Sequence, residues 1–433
     1  MYATLIGALA TGGDWRGAFV YAERAKARAL VDLLAQRRDL APPPSADNKV
    51  RELLASAATP DSSLGLAASD EGVRSIKVVA DARGTLADVA PEAASLISVQ
   101  KIDVAAIVSR LGPEESLVDY YMQGDTLYAF VLTSRSIKGQ VLSARGLQEQ
   151  VRAFRAAIGR RDPLTGQLAR GLYDRTLRPV LGDVQGSKLT VAPHGVLHYV
   201  PFAALSDGDH YLLERFSLRL IPSADALVYL RADAPRKLGK LLALGNPDLG
   251  QRQLDLPNAE TEALKVASMF PNSRALVRAQ ASKSAVEDLA NGFAIVHFAT
   301  HGHFDADAPL ASGLYLAKGS AADGVLTVSD LYALRWDVDL VTLSACETGL
   351  GKIASGDDVI GLTRGFFYAG ARSIVASLWE VDDAATAQLM VSFYRNLGAH
   401  DKREALRLAQ LETRQRYPDP WYWAAFIVLG RAD

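Results

Sequence analysis

Two stretches of the sequence, AIVHFATHGH at residues 294–303 and LVTLSACETG at residues 340–349, share one plan: a short apolar run that ends in reactive side chains. Continuous runs of this kind, rich in Val, Ile and Leu, predict parallel strands that are buried on both faces. The first run leads to His301-Gly302-His303 and the second to Cys346-Glu347-Thr348-Gly349. Active groups of α/β sheets lie just beyond the carboxyl ends of strands, so the two stretches predict one site at one sheet edge.

The residue types at these strand ends suit nucleophilic catalysis. His301 and Cys346 are 45 residues apart, which leaves room for one crossover between neighbouring parallel strands. A free thiol has a pKa of about 8.5, and a nearby imidazole can take its proton or stabilise the thiolate. The backbone amides of Gly302 and Cys346 are the predicted oxyanion donors. The competing interpretation of Cys346 is a small, buried apolar side chain at a strand end.

The histidines of the first stretch leave alternatives open. His297 lies inside the apolar run, which favours a role in the core or in support of a neighbouring catalytic residue. His301 ends the strand directly before glycine, which favours catalysis. His303 is the second candidate for the base. A metal site formed by these histidines with Asp305 or Asp307 is a competing hypothesis, but it lacks a clear third ligand at helical spacing. Structural or surface roles are expected for the other histidines: His194, His198, His210 and His400.

The composition is that of an ordinary globular protein, with 49% apolar and 22% charged residues. Lys and Arg number 47 against 49 Asp and Glu, so no global basic field attracts nucleic acid or an anionic membrane. A single cysteine cannot form an intramolecular disulfide or a thiolate zinc cluster. Neither a signal-peptide pattern nor a run of about 20 apolar residues occurs, so we expect a cytoplasmic protein without a membrane span.

The N-terminal region predicts helices followed by a linker. Gly12-Gly13-Asp14 separates a short apolar helix from a longer one that runs from Trp15 to about Gln36, with Asp14 as N-cap. The proline-rich residues 41–48 predict a linker, and residues 49–98 predict one or two marginal helices. We therefore assign residues 1–98 to a helical segment with a linker.

From residue 99 onwards predicted strands and helices alternate, as in βαβ units of a mostly parallel sheet flanked by helices. The predicted strands are Ser116–Met122, Thr126–Leu132, Lys188–Val191, Lys240–Leu244, Ala294–Ala299, Leu340–Ser344 and Ser373–Leu378. The predicted helices are Ala144–Ile158, Leu164–Leu181, Ala259–Met269, Lys283–Ala290, Ile360–Ala369, Asp383–Asn396 and Lys402–Gln415. Pro235-Arg236-Lys237 divides this region into an earlier part, 99–235, and a later part, 236–433, which contains both reactive strand ends.

Eight segments of the chain resemble the CHAT family, caspase-like peptidases often fused to tetratricopeptide repeats. These segments are Val191–Leu205, Val296–Phe304, Pro309–Leu314, Asp323–Thr327, Leu343–Gly349, Gly361–Ala371, Ser377–Asp383 and Trp421–Phe426. The fragment Asp14–Ala25 is similar to part of a tetratricopeptide repeat, one unit of which cannot bury its own apolar face. The resemblance implies a caspase-like α/β fold with a degenerate first half and a catalytic second half.

The resemblance also implies a catalytic His/Cys dyad. It falls on His301, the histidine before glycine, and on Cys346. In caspases the cysteine lies in a Gln-Ala-Cys-x-Gly turn. Here Ser344-Ala345-Cys346 keeps the alanine, but the glycine comes one position later, at Gly349. This departure cautions against transferring the aspartate specificity of caspases.

The segment from Leu378 to Asp383 is similar to a stretch of separases in which an acidic group helps to receive an arginine at the cleavage position. The similarity implies that Asp383, or failing that Asp382, receives a basic side chain, with Trp379 also at the substrate. For Asp383 a helix N-cap is the equally weighted alternative. Second candidates for the acidic role are Asp357 and Asp358.

Two functions stay open from the sequence. One is a cysteine endopeptidase that needs no cofactor, cleaves a protein substrate and is controlled by a partner protein at the N-terminal helices. The other is a non-catalytic or dormant scaffold that binds partner proteins. The presence of both His301 and Cys346 favours the peptidase, because a pure scaffold needs neither.

Overall fold

The structure is a computed structural model that describes residues 2–36, 102–229, 239–303, 311–319, 324–344, 358–379 and 381–432. The linker predicted at 41–48 and the helices predicted within 49–98 lie outside these ranges. Among the described residues, no helix is both long enough and apolar enough to cross a bilayer.

The helices of the described part are α1 (Tyr2–Thr11), α2 (Trp15–Gln36), α3 (Val104–Ser109), α4 (Leu147–Arg160), α5 (Thr165–Thr176), α6 (Leu212–Arg215), α7 (Ala226–Tyr229), α8 (Pro257–Ser268), α9 (Lys283–Leu289), α10 (Val328–Leu331), α11 (Asp358–Ala369), α12 (Asp383–Leu397), α13 (Lys402–Arg416) and α14 (Pro420–Trp423). The strands are β1 (Glu115–Gln123), β2 (Thr126–Leu132), β3 (Ile137–Ser143), β4 (Lys188–Ala192), β5 (Ser217–Leu220), β6 (Leu241–Pro247), β7 (Arg274–Arg278), β8 (Ile295–Ala299), β9 (Gly302–His303), β10 (Gly313–Tyr315), β11 (Val325–Thr327), β12 (Leu340–Ser344), β13 (Ser373–Ser377) and β14 (Phe426–Gly430).

Eleven strands form one continuous sheet in the order β3-β2-β1-β4-β5-β14-β13-β12-β8-β6-β7. Most neighbours are parallel; the pairs β1–β2, β2–β3 and β13–β14 are antiparallel. A small antiparallel sheet, β11-β10-β9, follows the end of β8. The predicted mostly parallel sheet flanked by helices is therefore confirmed, and the two halves share it through the pairing of β5 with β14.

Helices cover both faces of this sheet. In the second half, Val296 and Phe298 of β8 belong to the core cluster that contains residues of α9 and α11, whereas Ile295 belongs to the opposite cluster with α8 and α12. Because successive side chains of a strand alternate between faces, the apolar run of β8 fills both cores. In the first half, Phe19 of α2 packs edge-on against Phe130 of β2, so the N-terminal helices bury their apolar face against the sheet.

The N-cap prediction for α2 is confirmed by geometry, because the amide of Gly17 donates to Asp14 Oδ1 over 2.8 Å. Four strands of the large sheet were not predicted: β3, β5, β7 and β14. The edge strand β3 is partly or fully exposed along its whole length. Its sequence therefore has no continuous apolar run from which a strand could be predicted.

A buried ion-pair cluster ties the two halves together beside the β5–β14 junction. Oε1 of Glu115 lies 2.7 Å from Nη2 of Arg219 on β5 and 3.0 Å from Nη1 of Arg403 on α13. Burial alone would raise the pKa of Glu115, but the two guanidinium groups lower it to about 2. Since this pKa is below that of the unfolded chain, the carboxylate stabilises the fold above about pH 4.5, and this contribution is lost as the pH falls towards 2.

Replacing Glu115 by Gln should lower the free energy of unfolding at pH 7 by about 3 kcal/mol, because two buried guanidinium groups lose their carboxylate. The deficit relative to the wild type should shrink between pH 5 and pH 3, as measured by urea unfolding. The matched control is Asp125→Asn, which breaks an exposed pair with Arg145 and should cost less than about 1 kcal/mol. Equal losses in the two variants would contradict this role of Glu115.

Candidate active site

His301 lies at the carboxyl end of β8 and is held there by a backbone carbonyl. Its Nε2 atom is 3.0 Å from the carbonyl oxygen of Leu254. A carbonyl oxygen only accepts hydrogen bonds, so Nε2 carries the hydrogen, and in the neutral ring the basic lone pair is on Nδ1. The half-buried imidazole is therefore oriented with a defined tautomer, as a general base requires.

The loop that presents Leu254 is fixed by Asn246, which is the second-last residue of β6. Asn246 is buried and has a φ of 44°, a left-handed conformation that asparagine tolerates. Its Oδ1 accepts from the amide of Leu256 over 2.8 Å, and its Nδ2 donates to Glu260 over 3.2 Å. Sequence reasoning missed both Asn246 and Leu254. The dipeptide Asn246-Pro247 at a strand end is a turn signal, but nothing local indicates that this turn reaches a histidine.

The register of the sheet places the strand end that precedes Cys346 beside the strand end that precedes His301. Strands β8 and β12 are parallel neighbours, and Ala299 pairs with Ser344 at their carboxyl ends. His301 follows Ala299 by two residues and Cys346 follows Ser344 by two residues. Cys346 itself lies outside the described residues, so its pairing with His301 stays a prediction.

The other residues around His301 have distinct surroundings. Gly302 is buried and begins β9, where it pairs with Leu314; its proposed oxyanion role stays a prediction. His303 is exposed, with its ring 6.1 Å from that of Tyr315. His297 is fully buried between the sheet and α12, which confirms the predicted core role.

The metal hypothesis finds no cluster in the part of the chain that the structure describes. Among those residues, no group of three or more His, Cys, Asp or Glu side chains could hold a metal ion. The rings of His297 and His301 contact different partners, Tyr394 and the Leu254 carbonyl. The carboxylates named for this site, Asp305 and Asp307, lie outside the described ranges.

Asp382 and Asp383 follow β13, the strand next to β12, and they differ in environment. Asp382 is exposed and caps α12, because its Oδ1 accepts from the amide of Ala385 over 2.9 Å. The alternative that Asp383 is the N-cap is therefore wrong; the cap falls one residue earlier. Asp383 is half-buried, and its Oδ2 accepts from the amide of Asn258 on α8 over 3.1 Å.

The second carboxylate oxygen of Asp383, Oδ1, is buried and has no donor in aligned hydrogen-bond geometry among the described residues. Burial raises the pKa of Asp383, hydrogen bonds from the backbone amide and the side chain of Asn258 oppose this rise, and the charges of Glu262 and Asp382 add to it. The carboxyl groups of Asp383, Asp382 and Glu262 therefore lie near one another between the start of α8 and the start of α12.

Trp379 links the two halves beside these aspartates. The guanidinium of Arg155 on α4 lies 4.5 Å from the Trp379 ring centroid and donates to the carbonyl of Leu378 over 2.7 Å. The indole N–H of Trp379 donates to the carbonyl of Trp421 over 2.9 Å. These contacts give Trp379 a structural role, and its predicted contact with substrate is untested.

Of the two second candidates for the acidic role, Asp358 begins α11, and Asp357 lies outside the described residues.

A family model for the CHAT domain matches residues 166–431. This match covers more than half of the chain, and the protein therefore belongs to the CHAT domain family. The predicted resemblance is confirmed.

Two curated relatives and one solved structure extend this finding. Tetratricopeptide repeat protein 28 from Mus musculus is 28% identical over 333 residues, which is 63% of this chain and 13% of the relative. The protein of the same name from Homo sapiens is 29% identical over 323 residues, 60% of this chain and 13% of the relative. The chain thus spans only a small part of these relatives.

The solved structure is the Saccharomyces cerevisiae separase–securin complex, whose matching chain has a TM-score of 0.51 at 10% identity. The match covers 87% of this chain and 34% of that chain. At this identity the likeness shows the fold alone, which is the caspase-like α/β fold expected from the sequence.

Because Cys346 is the only cysteine, alkylation of the protein reports on that thiol alone. His301→Ala should slow alkylation by iodoacetamide at pH 6.5 about tenfold, because the thiol loses the base that keeps it ionised. The matched control, His303→Ala, should react like the wild type. If alkylation is slowed in His303→Ala but unchanged in His301→Ala, the base is His303 instead.

Proposed function

We propose that this protein is a cysteine endopeptidase that uses His301 and Cys346 and cleaves protein substrates after Arg or Lys. The observation that carries the proposal is the orientation of His301. Its Nε2 is engaged by the Leu254 carbonyl, so the basic Nδ1 remains available at the end of β8, beside the strand that leads to Cys346. The CHAT family match and the separase-like fold support the same class of chemistry.

In the proposed reaction, Nδ1 of His301 takes the thiol proton and the thiolate of Cys346 attacks the scissile carbonyl carbon. The amides of Gly302 and Cys346 stabilise the resulting oxyanion. When the tetrahedral intermediate collapses, the C–N bond breaks and the imidazolium gives its proton to the leaving amine. Water, deprotonated by the same imidazole, then hydrolyses the thioester and releases the acid and the free enzyme.

Specificity for a basic side chain rests on Asp383. Its buried Oδ1 has no donor in aligned hydrogen-bond geometry among the described residues, and the nearby carboxylate of Glu262 helps to raise its pKa. A buried carboxylate is costly without a compensating cation, which a lysine or arginine side chain of the substrate would supply. Asp382 is exposed and committed to capping α12, so it fits this role less well.

Control by a partner protein is the second part of the proposal. The separase neighbour was crystallised as a complex with securin, and the relatives are named as tetratricopeptide repeat proteins. In this chain α1 and α2 pack on the first half of the sheet, where Lys26 of α2 forms a buried ion pair with Asp119 of β1. A partner bound to these helices would act on the sheet through this contact. A dormant scaffold is the alternative if the dyad proves inert.

The test uses purified wild type, Cys346→Ala and a set of fluorogenic peptides that differ only at P1. The wild type should cleave P1 Arg and Lys peptides faster than P1 Asp peptides, and Cys346→Ala should cleave none. Absence of cleavage, together with no labelling of Cys346 by an electrophilic peptide probe, would favour the scaffold.

Specificity is tested by Asp383→Asn, with Asp382→Asn as the matched control. Asp383→Asn should lower kcat/KM for P1 Arg peptides at least about 30-fold, because the cation loses its buried counter-charge. Asp382→Asn keeps a good helix cap and should lie within about threefold of the wild type. Equal effects of the two substitutions would refute the assignment of Asp383.

A further inference from the structure

A chain of four polar side chains crosses the core beneath the candidate active site. Nε2 of His297 lies 2.8 Å from Oε1 of Glu262 on α8, an ion-pair contact rather than an aligned hydrogen bond. Nδ1 of His297 lies 3.1 Å from the hydroxyl of Tyr394 on α12. That hydroxyl donates to Oγ1 of Thr342 on β12 over 2.7 Å. Each of these residues is at most 2% exposed.

The directions of these contacts determine where the protons are. The Tyr394 hydroxyl gives its only hydrogen to Thr342, so Nδ1 of His297 must donate to the Tyr394 oxygen. At the other nitrogen, Nε2 lies 2.8 Å from Oε1 of Glu262, so the buried imidazole is in contact with a polar group at both of its nitrogens.

This row of polar side chains connects β8 and β12, the two strands that precede His301 and Cys346, at paired positions of the sheet. His297 and Thr342 are direct partners in the parallel pairing of β8 with β12. His301 lies four residues after His297, and Cys346 lies four residues after Thr342. The Tyr394 hydroxyl bridges both side chains from above the sheet, so it fixes α12 against the two strands at the same distance from each strand end.

Apolar side chains would fill this position at lower cost, because polar groups in a core are tolerated only when they are hydrogen-bonded. Ile295 and Leu340, which flank the network on the same strands and the same face, show that apolar packing is available there. Polar contacts are directional, however, and permit one relative placement of the groups that they join.

We propose that His297 and Tyr394 are positioning residues of the candidate active site, which hold the ends of β8 and β12 in the spacing that catalysis requires. This inference rests on the proposed peptidase function. It assigns no contact with substrate to either residue. Glu262 also lies near enough to Asp383 for its charge to raise the pKa of that carboxyl group.

The test is Tyr394→Phe, which removes one oxygen and keeps the ring packing against Phe270 and Phe393. The matched control is Tyr120→Phe. Tyr120 is equally buried and lies on β1, in the first half of the sheet. Its substitution by Phe removes one hydrogen bond, to the carbonyl of Thr176. Both variants should lose similar thermal stability, so a difference in activity between them reports on position rather than on folding.

Tyr394→Phe should lower kcat for the P1 Arg peptide about tenfold with KM within about twofold. It should also slow iodoacetamide alkylation of Cys346 across pH 6 to 8, whereas Tyr120→Phe should match the wild type in both assays. A conservative pair gives a second check: Thr342→Ser keeps the hydroxyl acceptor and should behave like the wild type, while Thr342→Val should resemble Tyr394→Phe.

Alkylation separates failure of this inference from failure of the proposed function, because it needs no peptidase activity. If His301→Ala slows alkylation but Tyr394→Phe does not, the dyad stands and the positioning role is overturned. If Tyr394→Phe and Tyr120→Phe reduce kcat equally, the effect is one of stability and the inference is also overturned. If neither His301→Ala nor His303→Ala slows alkylation, the dyad fails and the positioning role fails with it.

Discussion

The parallel pairing of β8 with β12 is the constraint on which the rest of this structure depends. Parallel neighbours bring their carboxyl ends to the same edge, and the connection between them must cross over one face of the sheet. Here the register places His297 beside Thr342 and Ala299 beside Ser344. The strand ends that precede His301 and Cys346 are therefore level, and the flanking helices pack to preserve that register on both faces.

The supports of the site come from elements distant in sequence. The Leu254 carbonyl orients His301 from a loop that Asn246 holds after β6. Tyr394 reaches β8 and β12 from α12. A catalytic side chain that stands on a strand end has few local neighbours, so its orientation has to be supplied by such second contacts.

The first half repeats the arrangement of a histidine and glycine after a parallel strand, but with different physical consequences. His194 follows β4, accepts from the amide of Met122 over 3.1 Å and packs on Tyr121. Burial, and then the nearby charge of Lys26, lower its pKa to about 3, so the imidazole stays neutral. Helix α2 covers this edge through Lys26 and Asp119, whereas His301 at the other edge remains partly exposed.

Local patterns in the sequence were sufficient for the elements that carry the strongest signals. Apolar runs placed β1, β2, β4, β8 and β12 within one or two residues of their observed ends, and the strand ends indicated where His301 would lie. These elements could be predicted because the burial of their side chains produces a regular pattern of apolar residues along the sequence. The edge strand β3 and the short strands β5, β7 and β14 have weaker patterns, because their pairing partners decide their conformation.

Only the tertiary structure decided which hydrogen-bond partner each side chain of the site has. The cap of α12 fell on Asp382 rather than Asp383 because the backbone turn, not the residue type, selects between adjacent aspartates. The Leu254 carbonyl has no side-chain signature, and the contact between His297 and Tyr394 spans 97 residues. The sequence by itself determined seven strands of the large sheet, its longer helices and the position of His301 at a strand end, since these follow from local hydrophobic order. The tautomer of His301, the acidity around Asp383 and the polar chain beneath the site arise from long-range packing, which no local pattern encodes.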